Sequence, residues 1–541
     1  MTKYRKYIFK YSNNMAKCLS KLSLRTSAFC TFFMLCTSLL ICGCATLQQD
    51  IDVTKEADGQ VTVYLKTPSR TSTNITFIIT KIKAITEDNI SREMIDTTVT
   101  FNSHDISGKQ IRLCEKMIPE GRFKKLSFTV KEAFLKRDKQ KAHLALPSEN
   151  IDVDINFEIQ KNQNTSLFIT WNPDLSIKDG YLFNPFFTIE KQIPELSSML
   201  IYVTNEHSDN VSVINRQSGD VVATVKVGKN PRGIASSQSK ERPRIYVANS
   251  GSNSVSVIDP TTHKVEIEIP VRFGREPEGI AVAKILHDRE IVFVANYRSQ
   301  NISLIDASTY QEIDKIEVGD GPIAIAVDPP VTSLSGSRYL NFNSINLMHK
   351  YREKYFNVYV ANRNSKNVSV IKMDLNTGRP YEIIDINVQW NPISLAVDYQ
   401  KAKVYVANNA YDNLTIIDIL QLIKGNKTST VYDLTGVGTS LVGIIADPEF
   451  DRLYLLREYP GEILVIRPYS ETFGVGIALS PVINTIAVGI SPRTFIMDPE
   501  GRNIYVVNRG SDNVSVINKT TMKEERIIPV GKKPYGVTMF P

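Results

Sequence analysis

Histidine, cysteine and tryptophan are scarce in this chain of 541 residues, which holds six, six and two of them. Four of the cysteines, Cys18, Cys30, Cys36 and Cys42, fall in the first 43 residues, leaving Cys44 and Cys114 for the remainder. A disulfide framework is thereby excluded as the source of stability, and a large packed core has to supply it. The histidines, at 104, 143, 207, 263, 287 and 349, are scattered, whereas a metal site needs several histidines or carboxylates to converge. Cys-x-x-Cys-His, a Gly-rich phosphate loop after a strand and Gly-x-Ser-x-Gly are all missing. No cofactor, no metal and no catalytic residue is expected.

Acidic residues are missing from the first 43 positions, which carry seven Lys/Arg. The apolar run "AFCTFFMLCTSLLIC", Ala28 to Cys42, is too short for a bilayer core of about 30 Å. It reads as the centre of a signal peptide, with Met15 as an alternative start. The run ends in "ICGCATLQQD", where an apolar residue, Cys42, Gly43 and Cys44 resemble the lipobox of bacterial lipoproteins. That resemblance implies cleavage before Cys44, lipid on its thiol and a membrane anchor for an extracytoplasmic chain. Ala45, rather than Asp, next to the lipidated residue implies the outer membrane where the cell has one. The formal charge of +7 belongs to this leader; beyond it 57 Lys/Arg face 57 Asp/Glu, so nucleic acid is not an expected partner.

From residue 201 the chain is periodic. "IYVTN" (201) returns as "IYVAN" (245), "VFVAN" (292), "VYVAN" (358 and 404), "LYLLR" (453) and "IYVVN" (504). After each comes a second phrase of the type "NVSVIN", a third segment ending near Val-Gly, and a fourth opening at or near proline, "PRGIAS" (231) to "PYGVTM" (534). Each phrase is a short β-branched run bounded by Gly, Pro, Asn or Asp, which is the strand signal. Four strands recurring every 44 to 66 residues fit propeller blades. The array begins with the "IYVTN" strand and ends with the "PYGVTM" strand, so the last strand is expected to complete the first blade and leave no unpaired inner edge. The pattern "YVTN/YVAN…NVSVID…VG..P.GIA" resembles the YVTN-type seven-bladed β-propeller repeat, over residues 201–541. Blade six departs most, with Arg457 in place of the asparagine. The repeated Asn is expected to bond nearby backbone at a turn, and the repeated Ser/Thr to sit where sheets stack.

Residues 44–190 carry no such period but alternate like strands, in "NITFIITKIKAI", "KKLSFTV", "IDVDINFEI" and "SLFITW", and are expected to form a β-sandwich. They resemble a lipoprotein sandwich domain of unknown function, which brings no chemistry. The expected division is therefore signal peptide 1–43, sandwich 44–190, linker 191–200 and propeller 201–541, an all-β architecture.

The "VG..P" turns of a propeller open on one face around its central channel. They bring Lys229, Arg232, Arg275, Trp390, Arg493, Lys532, Lys533 and Tyr535 to that mouth, with Glu276, Glu278 and Asp320 as the opposing charges. Guanidinium forks suit carboxylate or phosphate, and aromatic faces suit sugar rings, so an anionic or saccharide ligand is expected there. A long insertion between Asp328 and Val358, on the opposite face, offers Tyr339, Phe342, Tyr351 and Tyr355 as a contact surface for a protein partner. A monomeric, non-enzymatic binding or scaffold lipoprotein is the leading expectation. A propeller enzyme of lactonase or lyase type is the alternative, and a partner of a periplasmic redox protein the second.

Overall fold

Period-two alternation turns residues 58–191 into two packed sheets. The computed structural model describes residues 58–540 apart from residues 96, 138–139, 192–195, 197–198, 240, 335–336, 427–429 and 468–480. The signal segment, Cys44 and most of the 191–200 linker therefore lie outside the described residues. The first sheet runs in the order Phe186–Lys191, Asn164–Asn172, Asp58–Lys66, Gln110–Pro119. The second is built on Asn74–Thr86 and Gly121–Arg137. One core joins them: Val61, Val63, Leu167 and Trp171 from the first pack against Phe77, Leu126, Phe128 and Val130 from the second. The indole of Trp171 meets Phe77 edge-on at 4.7 Å and donates its N–H to Ser176 Oγ at 2.9 Å, so its polar atom is satisfied inside the core. Cys114 lies on the strand Gln110–Pro119, and burial pushes its thiol up to about 12, which removes it from thiolate chemistry at physiological pH.

Seven four-stranded antiparallel sheets follow. Blade 1 takes Pro534–Met539 as its innermost strand, paired with Leu200–Asn205, then Asn210–Asn215 and Val221–Lys226. Blades 2 to 7 open with Pro231–Ser236, Pro277–Lys284, Pro322–Val327, Pro392–Asp398, Leu441–Asp447 and Pro492–Met497. Each innermost strand lies beside that of the next blade, and Pro534–Met539 lies against those of blades 7 and 2. The last strand of the chain thus completes the first blade, as the phase of the repeat requires.

The repeated polar residues do something other than their local sequence suggests. Asn205 donates through Nδ2 to Asn210 Oδ1 (2.8 Å) and Ser212 Oγ (2.9 Å), a clasp across the second and third strands of the blade. Asn249, Asn296, Asn362 and Asn508 repeat it, and Asn408 keeps the half to Thr415. The expected bond to backbone is replaced by side-chain pairing, because the facing strand places matching acceptors five and seven residues on. In blade six the clasp is ionic: Arg457 Nη1 reaches Glu462 Oε1 at 2.7 Å over the same five-residue spacing. The Val-Gly signature has a steric cause here, since a Cβ on Gly531 would lie 2.4 Å from the Asn205 side chain.

Between blades 2 and 3, Arg244 Nε bonds Glu266 Oε2 at 2.5 Å and Tyr310 donates to the same oxygen at 2.8 Å. The Arg244 hydrogen bond is the main reason the Glu266 carboxyl falls from 4.5 to about 2. A depressed carboxyl contributes stability that is whole above its unfolded value and is lost as pH falls through the folded one. Glu266→Gln is therefore expected to flatten the decline of urea midpoint between pH 4.5 and about 2, and an unchanged slope there would remove this pair from the acid response.

Candidate functional site

In every blade the residue before the innermost strand has a left-handed backbone: Asn230, Glu276, Gly321, Asn391, Ser440, Ser491 and Lys533. A register shift follows at once in each of the seven strands, so the second residue of each is freed from regular pairing. Those second residues are Tyr535, Arg232, Glu278, Ile323, Ile393, Val442 and Arg493, from blade 1 to blade 7. The glycines beside them let neighbouring innermost strands approach: a Cβ on Gly233 would meet the Glu278 carbonyl at 2.1 Å, and one on Gly536 the Arg232 carbonyl at 2.4 Å.

Read in ring order, the seven positions split into two arcs. Blades 7, 1, 2 and 3 contribute Arg493, Tyr535, Arg232 and Glu278, and blades 4, 5 and 6 contribute Ile323, Ile393 and Val442, all three buried. The polar arc is one hydrogen-bonded network. Arg493 Nη2 donates to Tyr535 Oη at 2.6 Å, and Tyr535 donates in turn to Glu278 Oε2 at 3.0 Å. The other Glu278 oxygen is held by Arg232 Nη1. Arg232 also bonds Glu206 Oε1 at 3.0 Å, and Arg509 Nη2 reaches Glu206 Oε2 at 2.7 Å. Against the upward push of burial, Arg509 and Arg232 together hold the Glu206 carboxyl below its usual range, so it stays ionised. The Arg493 guanidinium lies 4.6 Å from the Tyr535 ring centroid. Among the described residues it has no carboxylate within ion-pair distance, which sets it apart from Arg232 and Arg509.

The eight expected mouth residues are thus divided. Arg232, Arg493 and Tyr535 come together, whereas Lys229, Arg275 and Lys532 are exposed on the surrounding turns and Lys533 is half-buried. Trp390 is 49% exposed, with the Lys366 ammonium over its ring. Tyr411, Tyr459 and Ile490, on other turns of that face, are exposed too. Arg232 differs from the expectation of an available cation, because Glu206 and Glu278 already occupy it. Glu206 was not legible as a site residue; no local motif marks it, and only the blade geometry carries it to Arg232. Aligning the residue after each proline would have grouped Glu278 with Arg232, Arg493 and Tyr535.

The insertion is packed, with Leu334 and Met348 buried beside Tyr359, Tyr399 and Val404. Its helix, Phe342–Arg352, is capped by Asn341. Of the four aromatics expected to form one contact surface, Tyr351 and Tyr355 lie together, with ring centroids 5.7 Å apart. Tyr339 is exposed and donates to the Pro448 carbonyl at 3.1 Å, and Phe342 is 76% exposed. Tyr351 donates to Asn357 Oδ1 at 2.6 Å, while Tyr355 and Tyr381 flank the Lys372 ammonium at 4.1 and 4.7 Å. No group of three metal-ligating side chains converges among the described residues.

No protein-family model matches the chain, and no characterised protein matches it by sequence. Solved structures resemble it in fold. Hydrazine synthase from Kuenenia stuttgartiensis is 20% identical, covering 60% of this chain and 93% of its own, with a TM-score of 0.46. A protein proposed to be a 6-phosphogluconolactonase, from Bacteroides uniformis, is 14% identical over 63% and 99%, with a TM-score of 0.45. Dihydro-heme d1 dehydrogenase NirN is 15% identical over 62% and 65%, with a TM-score of 0.41. These likenesses say nothing of what this chain binds.

Proposed function

We propose that this chain is a lipid-anchored, extracytoplasmic binding propeller of the YVTN type, whose channel mouth takes a small ligand carrying an anionic group beside an apolar or sugar-ring face. The observation that carries the reading is the split ring, with Arg493 where the polar arc meets Val442 and the apolar one. A carboxylate or phosphate on Arg493 would neutralise the one arginine of the network that lacks an ion pair among the described residues. The remainder of such a ligand would meet Val442, Ile393 and the aromatic turns. The anchor on Cys44 and an outer-membrane location rest on the lipobox, and the sandwich would then stand between the anchor and the ring.

The test is a thermal-shift and calorimetry screen of the chain from residue 45 against sugar acids, phosphosugars and neutral sugars. A ligand at 100 times its Kd adds about 2.7 kcal/mol. Arg493→Ala is expected to weaken an anionic ligand at least tenfold, about 1.4 kcal/mol. Arg232→Ala is a poorer probe, since it strips buried Glu278 of its cation and leaves buried Glu206 with Arg509 alone. Absence of any shift across the panel, or a shift indifferent to Arg493→Ala, would end this reading.

A further inference from the structure

The outer strand of a blade is an open edge, and in three of the seven blades the sequence lines it with several charges. Lys264–Pro270, Gln311–Glu317 and Lys523–Pro529 are charged and largely exposed, and each pairs on one side only. Charges on an edge discourage pairing with other chains. The edge of blade 7 differs in its surroundings, because a second wall faces it. The turn 107–109 and the start of the strand Gln110–Pro119 stand across from Lys523–Pro529 and, with the hairpin 218–220, enclose a cleft of about 640 Å³.

The same wall shows how a neighbouring edge is already satisfied. The Gln110 side-chain amide accepts from the Val221 N–H at 2.8 Å and donates to the Val221 carbonyl at 3.0 Å, a strand-like pairing on the outer strand of blade 1. The blade 7 edge has no such strand-like pairing among the described residues: its strand is the last of its sheet, and the wall meets it at Ile528, which packs with Tyr64 and Val221. Charge selects what would fit. Asp220, Asp512, Glu524 and Glu525 line the cleft against Lys109 and Arg526. Both cations are engaged with carbonyls, Arg526 with Ser218 and Lys109 with Asp105 at 3.2 Å. Lys66 lies 3.8 Å from Asp220, whereas Glu524 and Glu525 have no ion pair among the described residues. Ile527, 53% exposed farther along the same strand, offers an apolar contact beside them.

We infer that this cleft is a docking site for an extended, lysine- or arginine-bearing peptide segment of a partner protein, which adds to the Lys523–Pro529 edge as a further strand. Backbone pairing supplies the affinity, and Glu524 and Glu525 read the positive side chains that alternate along the segment. The site is separate from the channel mouth and does not depend on its reading.

The experiment uses the whole chain in detergent and three probes measured by calorimetry: a short alternating Lys-Val peptide with blocked ends, the same peptide N-methylated at alternate amides, and spermidine. The unmethylated peptide is expected to bind, and methylation, which keeps the charge and removes strand pairing, to weaken it at least about tenfold. Glu524→Lys with Glu525→Lys, both on exposed positions, is expected to weaken it by a similar factor. Asp314→Lys, on the unwalled edge of blade 3, is expected to leave it unchanged. Equal binding of the methylated peptide or of spermidine overturns strand addition. Indifference to the Glu524/Glu525 reversal, or no binding at all, overturns the site.

Discussion

A chain shortened to begin at Met199 is expected to leave solution as aggregates or high-mass species in size-exclusion chromatography, although all seven blades remain in it. The reason lies in the outer strand of blade 1. Val221–Lys226 reads "VVATVK" and is nearly all buried, where its counterparts read "KVEIEIP" or "KEERIIP" and are exposed. The sandwich covers it. The strand Asp58–Lys66 is buried on both faces, with Val61, Val63 and Leu65 turned into the sandwich core. Tyr64 turns the other way: it stacks on Phe168 at 5.5 Å, pairs its hydroxyl with Thr224 Oγ1 at 3.0 Å and packs with Val221 and Ile528. Gln60 Nε2 reaches the Ser208 carbonyl at 3.0 Å, and Ser166 Oγ receives the Thr224 N–H at 3.1 Å. Removing this cover presents a largely apolar strand edge whose single charge is Lys226, the condition that promotes edge-to-edge association. Within the whole chain, Tyr64→Ala is expected to cost about 3 kcal/mol or more through lost aromatic burial, and Tyr64→Phe about 1 kcal/mol for the hydroxyl alone. Urea midpoints measure both. A shortened chain that elutes as a monomer, with its transition unmoved, would show that the sandwich is dispensable to the ring.

Arg352→Ala is expected to be the most damaging single change in the insertion, at about 3–5 kcal/mol. Arg352 closes the helix Phe342–Arg352 and is itself buried. Its Nη1 bonds the Pro329 carbonyl and Tyr399 Oη, each at 2.8 Å, and lies 3.9 Å from Asp328 Oδ2. Asp328 is fully enclosed, and accepts from Tyr359 Oη at 3.0 Å and from the Asn357 N–H at 2.7 Å. Truncation leaves that carboxylate without its cation. Asp328→Asn with Arg352→Met, which removes both charges, is expected to recover much of the loss. The effect has a pH signature. Burial already holds the Asp328 carboxyl above its ordinary range, with Arg352 the chief influence pulling it down. A raised carboxyl contributes stability that is whole below its unfolded value and is lost as pH rises through the folded one. Without Arg352 the folded value climbs further, so the deficit of Arg352→Ala should be largest at neutral pH and shrink in mild acid. A pH-independent deficit would assign it to lost packing instead.

Seven blades, their strand order and the completing role of the last strand were legible in the chain, because a repeat states the same local instruction seven times and any one copy corrects the others. Blade six illustrates the limit of that legibility. Its loss of asparagine at 457 looked like decay of the motif, yet Arg457 and Glu462 preserve the clasp with opposite charges at the same spacing. The outer strand of blade 1 carried a signal that went unread: with Lys226 as its single charge, it is more apolar than the edges Lys264–Pro270, Gln311–Glu317 and Lys523–Pro529.

By itself the sequence determined which segments become strands, since alternation, β-branching and the Pro, Gly and Asn boundaries act within a few residues of where they are written. Only the tertiary structure decided which side chains meet. Glu206, Arg232, Glu278, Arg493, Arg509 and Tyr535 span more than 300 positions and form one network, because the innermost strands and their turns converge on an axis that no local pattern encodes. The same holds for the wall that turns the edge of blade 7 into a cleft. Strand propensity is a short-range property of the backbone, whereas charge pairing and burial depend on distances in space, and those are fixed only when the ring and the sandwich have packed.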